Sequence, residues 1–518
     1  MEPDTNTSPA HGGSAREDVD GRGRIARRVV VIGWQGATFD LLDPWVREGR
    51  MPGLRALLAR GTRGVLTSTH PTIAATAWAT FLTGTGPGHH GICDERLSPW
   101  ADPRRPFASL ADVAGEKLWE RLNRHGRTTG LFLVPLTHPP VPLDGFLVTR
   151  AEVDGAASLG SFPEPLSTRL RRRIRGKTLL ERYDYDPTRE EDALALLEES
   201  RQVTRNRGEA LLWLLREHPC DLTVAVFSLP DRVQHLFWEV LSPARSALGN
   251  EPQKRVRLAA LDGFRQLDRT LGEVAELLGP DDLLILLSDH GFGGQQRVFQ
   301  VNRFLGEKGF LRNTPAVRAQ VARTRMGALL YPERLRTILP RGLPGLDWAR
   351  PRARTFPPQD EAWGVFRHRP FSALSLGVAS QGIYALHPDG IRRRMLLIAL
   401  ADQLMDLVAA DGQSVFEWVR PREEVMPGPR CALAPDLLFQ TRAGVLARSD
   451  LGAPGILETT PGCLGGQHRP EGILVLHGAG CLPGATIEGA RLEDLAPTIC
   501  RALGVPPSPN HQGKDLLA

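Results

Sequence analysis

From Arg28 onward, short apolar runs alternate with stretches of helical periodicity, a pattern that leaves a chain few folds to choose from. Apolar runs closed by turn residues read as strands buried on both faces. Apolar positions recurring at three- and four-residue steps read as helices. Val29–Gly33, Thr129–Pro135, Leu222–Phe227, Leu283–Leu287 and Ile473–Leu476 are the predicted strands. Phe39–Glu48, Gly53–Ala59, Thr76–Leu82, Lys117–Asn123, Glu190–Arg216, Ala259–Leu278 and Leu492–Leu503 are the predicted helices. Such alternation implies an α/β fold with a largely parallel central sheet flanked by helices. Between residues 301 and 430 the pattern weakens into Pro-, Arg- and Gly-rich stretches such as Leu339–Pro344, which suggests an inserted cap subdomain. Residues 29–300 and 431–518 then form the core, and residues 1–28, rich in Gly, Asp and Arg, an expected disordered tail.

Composition removes several function classes. With 518 residues, 41% hydrophobic and 24% charged, the chain has room for a large core. Lys and Arg (64) barely outnumber Asp and Glu (59), and nearly all the bases are Arg, a bias expected of a GC-rich bacterial genome. No basic run is interleaved with aromatics, so a nucleic-acid surface is not expected. Six scattered cysteines without a CxxC pair argue for a reducing compartment and against a disulfide scaffold. No apolar window reaches membrane-spanning length, and a cytoplasmic location is expected.

Ligands of open α/β sheets bind outside the carboxyl ends of the strands. Three segments place metal-type side chains where such an edge would lie. Asp231 and His235 follow strand Leu222–Phe227 with a four-residue step, which puts both on one face of a helix. Asp289 and His290 follow strand Leu283–Leu287, ahead of Gly291, a residue suited to a sharp turn. His468 precedes strand Ile473–Leu476. Each has a plainer reading alone, as a helix cap, a structural His or a loop His. Together they make a mixed Asp/His set suited to zinc or manganese.

The order of these motifs resembles the alkaline phosphatase superfamily, in particular its type I phosphodiesterase/nucleotide pyrophosphatase branch. The resembling stretches are Val29–Leu42, Leu66–Ile92, Leu118–Val148, Asp221–Trp238, Leu283–Leu305 and Gln467–Gly513. Trp78, Thr83-Gly84, Pro87, His90-Gly91 and Ser288–Phe292 are the most specific of them. The resemblance implies two metal sites: one at Asp231, His235 and His468, the other at Asp289 and His290 with a first-strand Asp and a nucleophilic Thr or Ser. Two positions depart from that pattern. Gln35 stands where the first-strand Asp belongs, and Ala74 where the nucleophile belongs. A methyl group cannot attack phosphorus, and an amide oxygen carries no charge. The second site is therefore expected to be weak or empty. A sulfatase reading is set aside, because Ala74 lies in no Cys/Ser-x-Pro-x-Arg motif.

Two functions compete. One is a metal-dependent enzyme acting on a phosphate ester or related small molecule by altered chemistry, with Thr72 or Thr76 as a partial replacement for the nucleophile. The other is a pseudoenzyme that binds or regulates without turnover. Thr72 has a plainer reading as a loop cap. Retention of all five potential ligands tilts the balance towards the enzyme. Neither substrate nor oligomeric state can be read from the residues.

Overall fold

The computed structural model describes residues 23–97, 107–153, 156–182, 185–186, 189–242, 250–311, 373–375, 381–385, 389–450, 453–459 and 465–517. Most of the expected tail, and much of the expected insert (312–372, 376–380 and 386–388), lies outside the described residues.

The described strands, in chain order, begin with β1 (Arg28–Trp34), β2 (Thr62–Thr67), β3 (Thr129–Phe132), β4 (Gly145–Val153), β5 (Ala156–Phe162) and β6 (Leu222–Phe227). They continue with β7 (Asp282–Leu287), β8 (Gly291–Gly294), β9 (Arg297–Gln300), β10 (Ala373–Leu374), β11 (Gly382–Ala385) and β12 (Phe416–Pro421). The last are β13 (Leu437–Thr441), β14 (Val445–Arg448), β15 (Leu457–Thr459), β16 (Gly466–Arg469), β17 (Glu471–Gly478) and β18 (Thr486–Arg491). The described helices are α1 (Phe39–Arg47), α2 (Pro52–Arg60), α3 (Ala74–Thr83), α4 (Pro87–His90), α5 (Leu118–Arg124), α6 (Pro165–Arg173) and α7 (Glu190–Glu217). They are followed by α8 (Leu229–Leu241), α9 (Glu251–Glu276), α10 (Val301–Glu307), α11 (Gly390–Met405), α12 (Arg422–Val425) and α13 (Leu495–Ala502).

Among the described residues, nine strands make the central sheet in the order β18-β2-β17-β7-β1-β6-β3-β4-β5. β1 lies between β6 and β7, parallel to both. The antiparallel pairings involve β17, which runs against β2 and β7, and the edge hairpin β4–β5. Alternate residues of the central strands feed two cores. Val30, Ile32, Leu284 and Leu286 pack under α1, α2, α7, α8 and α9; Val29, Val31, Leu283 and Ile285 pack over α3, α5 and α13. Burial on both faces is why these strands read as unbroken apolar runs and not as alternating ones.

Smaller sheets stand beyond β7. β8 pairs with β16, β9 lies between β14 and β15, and β10-β11-β13-β12 form an antiparallel sheet around Phe299, Phe416 and Phe439. The last sheet draws strands from both sides of residue 430. The described residues just before β1 are tied to the sheet: Arg24 pairs with Asp221 at 2.8 Å, and Arg27 and Arg28 both reach Asp282. No described helix is long and apolar enough to cross a membrane.

Helix α2 shows how the layers lock. Its N-cap, Met51, has no side-chain bond to offer, so the Asp268 carboxylate of α9 accepts from the Gly53 and Leu54 backbone N–H groups at 2.9 and 2.7 Å. Asp268→Ala leaves both donors without an acceptor and should cost about 2 kcal/mol. Urea unfolding is the measurement, and an unchanged midpoint would refute this account of the cap.

Candidate metal centre

Parallel register brings the ends of β1, β6 and β7 to one edge: Trp34 pairs with Phe227, and Gly33 with Leu287. The residues that follow are Gln35-Gly36, Ser228 and Ser288-Asp289-His290, and they share that edge. Gly36 is the joint between them. Its N–H donates to Asp289 Oδ1 at 3.2 Å, and its carbonyl accepts from Gln234 Nε2 at 2.7 Å. Its φ is 73°, and a Cβ there would stand 3.0 Å from the Asp231 Cα and from the Phe292 ring, so only glycine fits.

Asp231 occupies the first turn of α8, and His235 stands one turn on. The start of that helix is braced from behind. Arg207 donates to Ser228 Oγ at 2.7 Å and pairs with Glu181 at 2.7 Å, both ion-pair side chains being buried. His468 arrives from β16, opposite Phe292 of β8.

These three side chains meet. His468 Nε2 is 3.1 Å from Asp231 Oδ1 and 2.8 Å from His235 Nε2, and His235 Nε2 is 3.4 Å from the same carboxylate oxygen. Ligands on one tetrahedral zinc, with bonds of about 2.0–2.1 Å, stand about 3.3 Å apart. The remaining ring hydrogens support the same geometry. His468 Nδ1 donates to the Thr72 carbonyl at 2.8 Å, and the His235 ring donates to the Gly466 carbonyl. Both rings therefore turn Nε2 inward, the orientation of metal-bound imidazoles whose other nitrogen is held by an outer carbonyl. With the two Nε2 atoms 2.8 Å apart, a proton or a metal ion has to lie between them. The donor set fits zinc, and manganese is also compatible.

Charge follows the same logic. Burial alone would raise the Asp231 carboxyl, but the charges and hydrogen bonds of His235 and His468 hold it well below the usual range. Burial would lower His235, and Asp231 overrides it to raise the ring.

Asp289 and His290 flank this trio. His290 Nε2 is 3.8 Å from Asp231 Oδ1 and 3.6 Å from Asp289 Oδ2, and its ring stacks on His468 with centroids 3.8 Å apart. Its Nδ1 donates to the Gly291 carbonyl at 3.2 Å. Asp289 Oδ2 and His290 Nε2 are buried and have no hydrogen-bond partner among the described residues. Burial, with the Asp231 charge, pushes the Asp289 carboxyl up to about 7; burial and His468 push His290 well below its usual value. Gln35 sits half-buried at the end of β1, its backbone N–H bonded to the Phe227 carbonyl. Ala74 is the first residue of α3, two residues after the carbonyl that holds His468.

Thr72 is buried, and its hydroxyl donates back to the Thr69 carbonyl at 3.2 Å, so its backbone is what reaches the site. Thr76 is buried within α3, its hydroxyl without a hydrogen-bond partner among the described residues. Glu95 carries no motif that would single it out in the sequence. Burial and Asp94 push its carboxyl up to about 7, and it lies near enough to feel His468 and Asp231.

The type I phosphodiesterase / nucleotide pyrophosphatase family model matches residues 29–352. No curated protein sequence matches the chain. Among solved structures, phosphonoacetate hydrolase from Sinorhizobium meliloti 1021 in complex with phosphonoformate is similar at TM-score 0.55 and 16% identity, over 94% of this chain and 98% of that one. The same enzyme with phosphonoacetate is similar at 0.53 and 14%, with the same coverage. Murine ectonucleotide pyrophosphatase / phosphodiesterase 5, as an inactive variant in complex with AMP, gives 0.49 and 14% over 94% and 97%. At these identities the likeness concerns the fold.

Separate consequences follow for His468 and Thr72. His468→Ala removes a donor of the inner set and should lower zinc affinity by more than the roughly 10–100-fold that losing an outer partner costs. Thr72→Val keeps the carbonyl and should retain the wild-type metal content. Elemental analysis of both variants checks this; loss of metal from Thr72→Val would make its hydroxyl a ligand.

Proposed function

Because the chain belongs to the type I phosphodiesterase / nucleotide pyrophosphatase family of the alkaline phosphatase superfamily, we propose that it is a metal-dependent hydrolase of a small phosphate ester in which water attacks phosphorus directly. Asp231, His235 and His468 would hold the zinc or manganese ion. When bound, such an ion supplies Lewis acidity, bringing the pKa of a water to about 7 and polarising a phosphoryl oxygen.

The chain's own groups supply the rest. Helix α3 starts at Ala74 without a side-chain cap, leaving first-turn N–H groups for anionic oxygens. The segment before it touches His468 through Thr72, so an anion at that terminus would lie beside the metal ligands. Phe292 stands 4.7 Å from the His235 ring and 5.1 Å from the His468 ring, walling one side from water. Asp289 and His290 offer a second, poorer cation position, since Gln35 brings no charge and Ala74 no oxygen. We place the core at residues 29–300 and 431–518, with the 301–430 insert as a cap. Contact between His70 and Trp418, with ring centroids 4.8 Å apart, supports a cap close to the site.

The observation that carries this reading is the meeting of Asp231, His235 and His468 beside a helix whose opening residue is alanine. A covalent route needs an attacking oxygen there. Ala74 and Gln35 also favour a second reading, a protein that binds a phosphorylated small molecule without turning it over.

The stereochemical course at phosphorus separates the possibilities. With a chiral aryl phosphorothioate diester, zinc-loaded protein and oxygen-isotope-labelled water, direct attack by water inverts configuration. Retention would reveal a covalent intermediate on another side chain and refute the proposal. Metal-dependent binding without turnover would establish the second reading. Gln35→Asp with Ala74→Thr should raise diesterase turnover at least about 10-fold, with either change alone doing little, because groups that act as a unit are non-additive.

A further inference from the structure

The outer face of α11 shows an apolar stripe that is exposed among the described residues. Leu400 and Leu404 point inward to the antiparallel sheet and are fully buried. On the opposite side Ile391, Met395, Ile398 and Met405 are 75%, 65%, 56% and 41% exposed, and Val408 just beyond is 54% exposed. Together with Asp402, residues 391, 395, 398, 402 and 405 step by four and three. That is the spacing of a seam between two helices. Exposing such a row of large apolar side chains to water is unfavourable, and rows of this kind mark contact surfaces.

Charges along the stripe show what covers it. Arg392 and Arg394 are exposed at the N-terminal end, and Asp402 and Asp406 at the C-terminal end. Among the described residues, no ion pair joins any of these four to the rest of the chain. Arg393, between the two bases, turns inward to Asp436 instead. Bases at one end and acids at the other are complementary to the same helix laid antiparallel. We infer that α11 forms a two-fold interface with a second copy of this chain, Ile398 meeting Ile398 near the axis. Ile391 then lies against Met405 of the other copy, and Arg392 and Arg394 against Asp402 and Asp406. A two-fold contact is self-complementary in just this way. An anionic membrane would be drawn to the two arginines and repelled by the two aspartates, one of which lies within the stripe.

Sedimentation equilibrium of the full chain is expected to show a concentration-dependent dimer. Ile398→Glu sets two carboxylates against each other at the axis and should raise the dissociation constant at least about 10-fold. A sharper test uses two charge variants. Arg392→Glu/Arg394→Glu and Asp402→Arg/Asp406→Arg should each be folded by circular dichroism and monomeric, yet form a one-to-one heterodimer when mixed. A wild type that stays monomeric at all concentrations overturns the inference, as does a dimer indifferent to Ile398→Glu. Failure of the folded charge variants to pair, or α11-dependent binding of monomer to phosphatidylserine vesicles, overturns it as well.

Discussion

Parallel pairing of β1 with β6 and β7 is the constraint on which the site depends. Three strands in matched register finish at one level, so whatever residue follows each strand is delivered to the same few ångströms of space. Gly36, Asp231 and Asp289 are brought to one edge by that register. Gly36 then ties the three segments together through a backbone N–H, a backbone carbonyl and the absence of a Cβ. A side chain there would push Asp231 and Phe292 apart and open the cluster that His468 completes.

Once gathered, the side chains form an arrangement that is electrostatically unfinished. One carboxylate faces three imidazoles whose outer nitrogens are engaged by backbone carbonyls. Inward nitrogens at such a distance need a proton or a metal ion between them. Beside them lie Asp289 and His290, both with buried atoms that have no hydrogen-bond partner among the described residues. Buried polar atoms left without hydrogen-bond partners are costly.

The smaller sheets matter because they border the loops that feed the site. Trp418 of β12 packs on His70, which is two residues ahead of the Thr72 carbonyl that orients His468. Any movement of that sheet is therefore felt at His468 through a short stretch of backbone. On the far side of the same sheet, α11 turns its apolar stripe away from the chain.

Much of this could be read from the residues in order. Central strands buried on both faces are unbroken apolar runs, so Leu222–Phe227 kept its bounds and Val29–Gly33 and Leu283–Leu287 grew by only a residue or two. Helix ends shifted more, as with α9, which starts at Glu251 where Asn250 caps it. β2, with its partly exposed pattern, and the short strands of the antiparallel sheet carry too weak a period to stand out. Asp231 and His235 share a helix face by spacing alone. What sequence order could not decide was distance across the chain. That His468 lies 2.8 Å from His235, that Thr72 contributes its carbonyl while its hydroxyl turns back to Thr69, and that Glu95 lies near the ligands all depend on long-range packing. Local pattern specifies which face of an element is buried. Only the closed sheet and its register decide which faces meet.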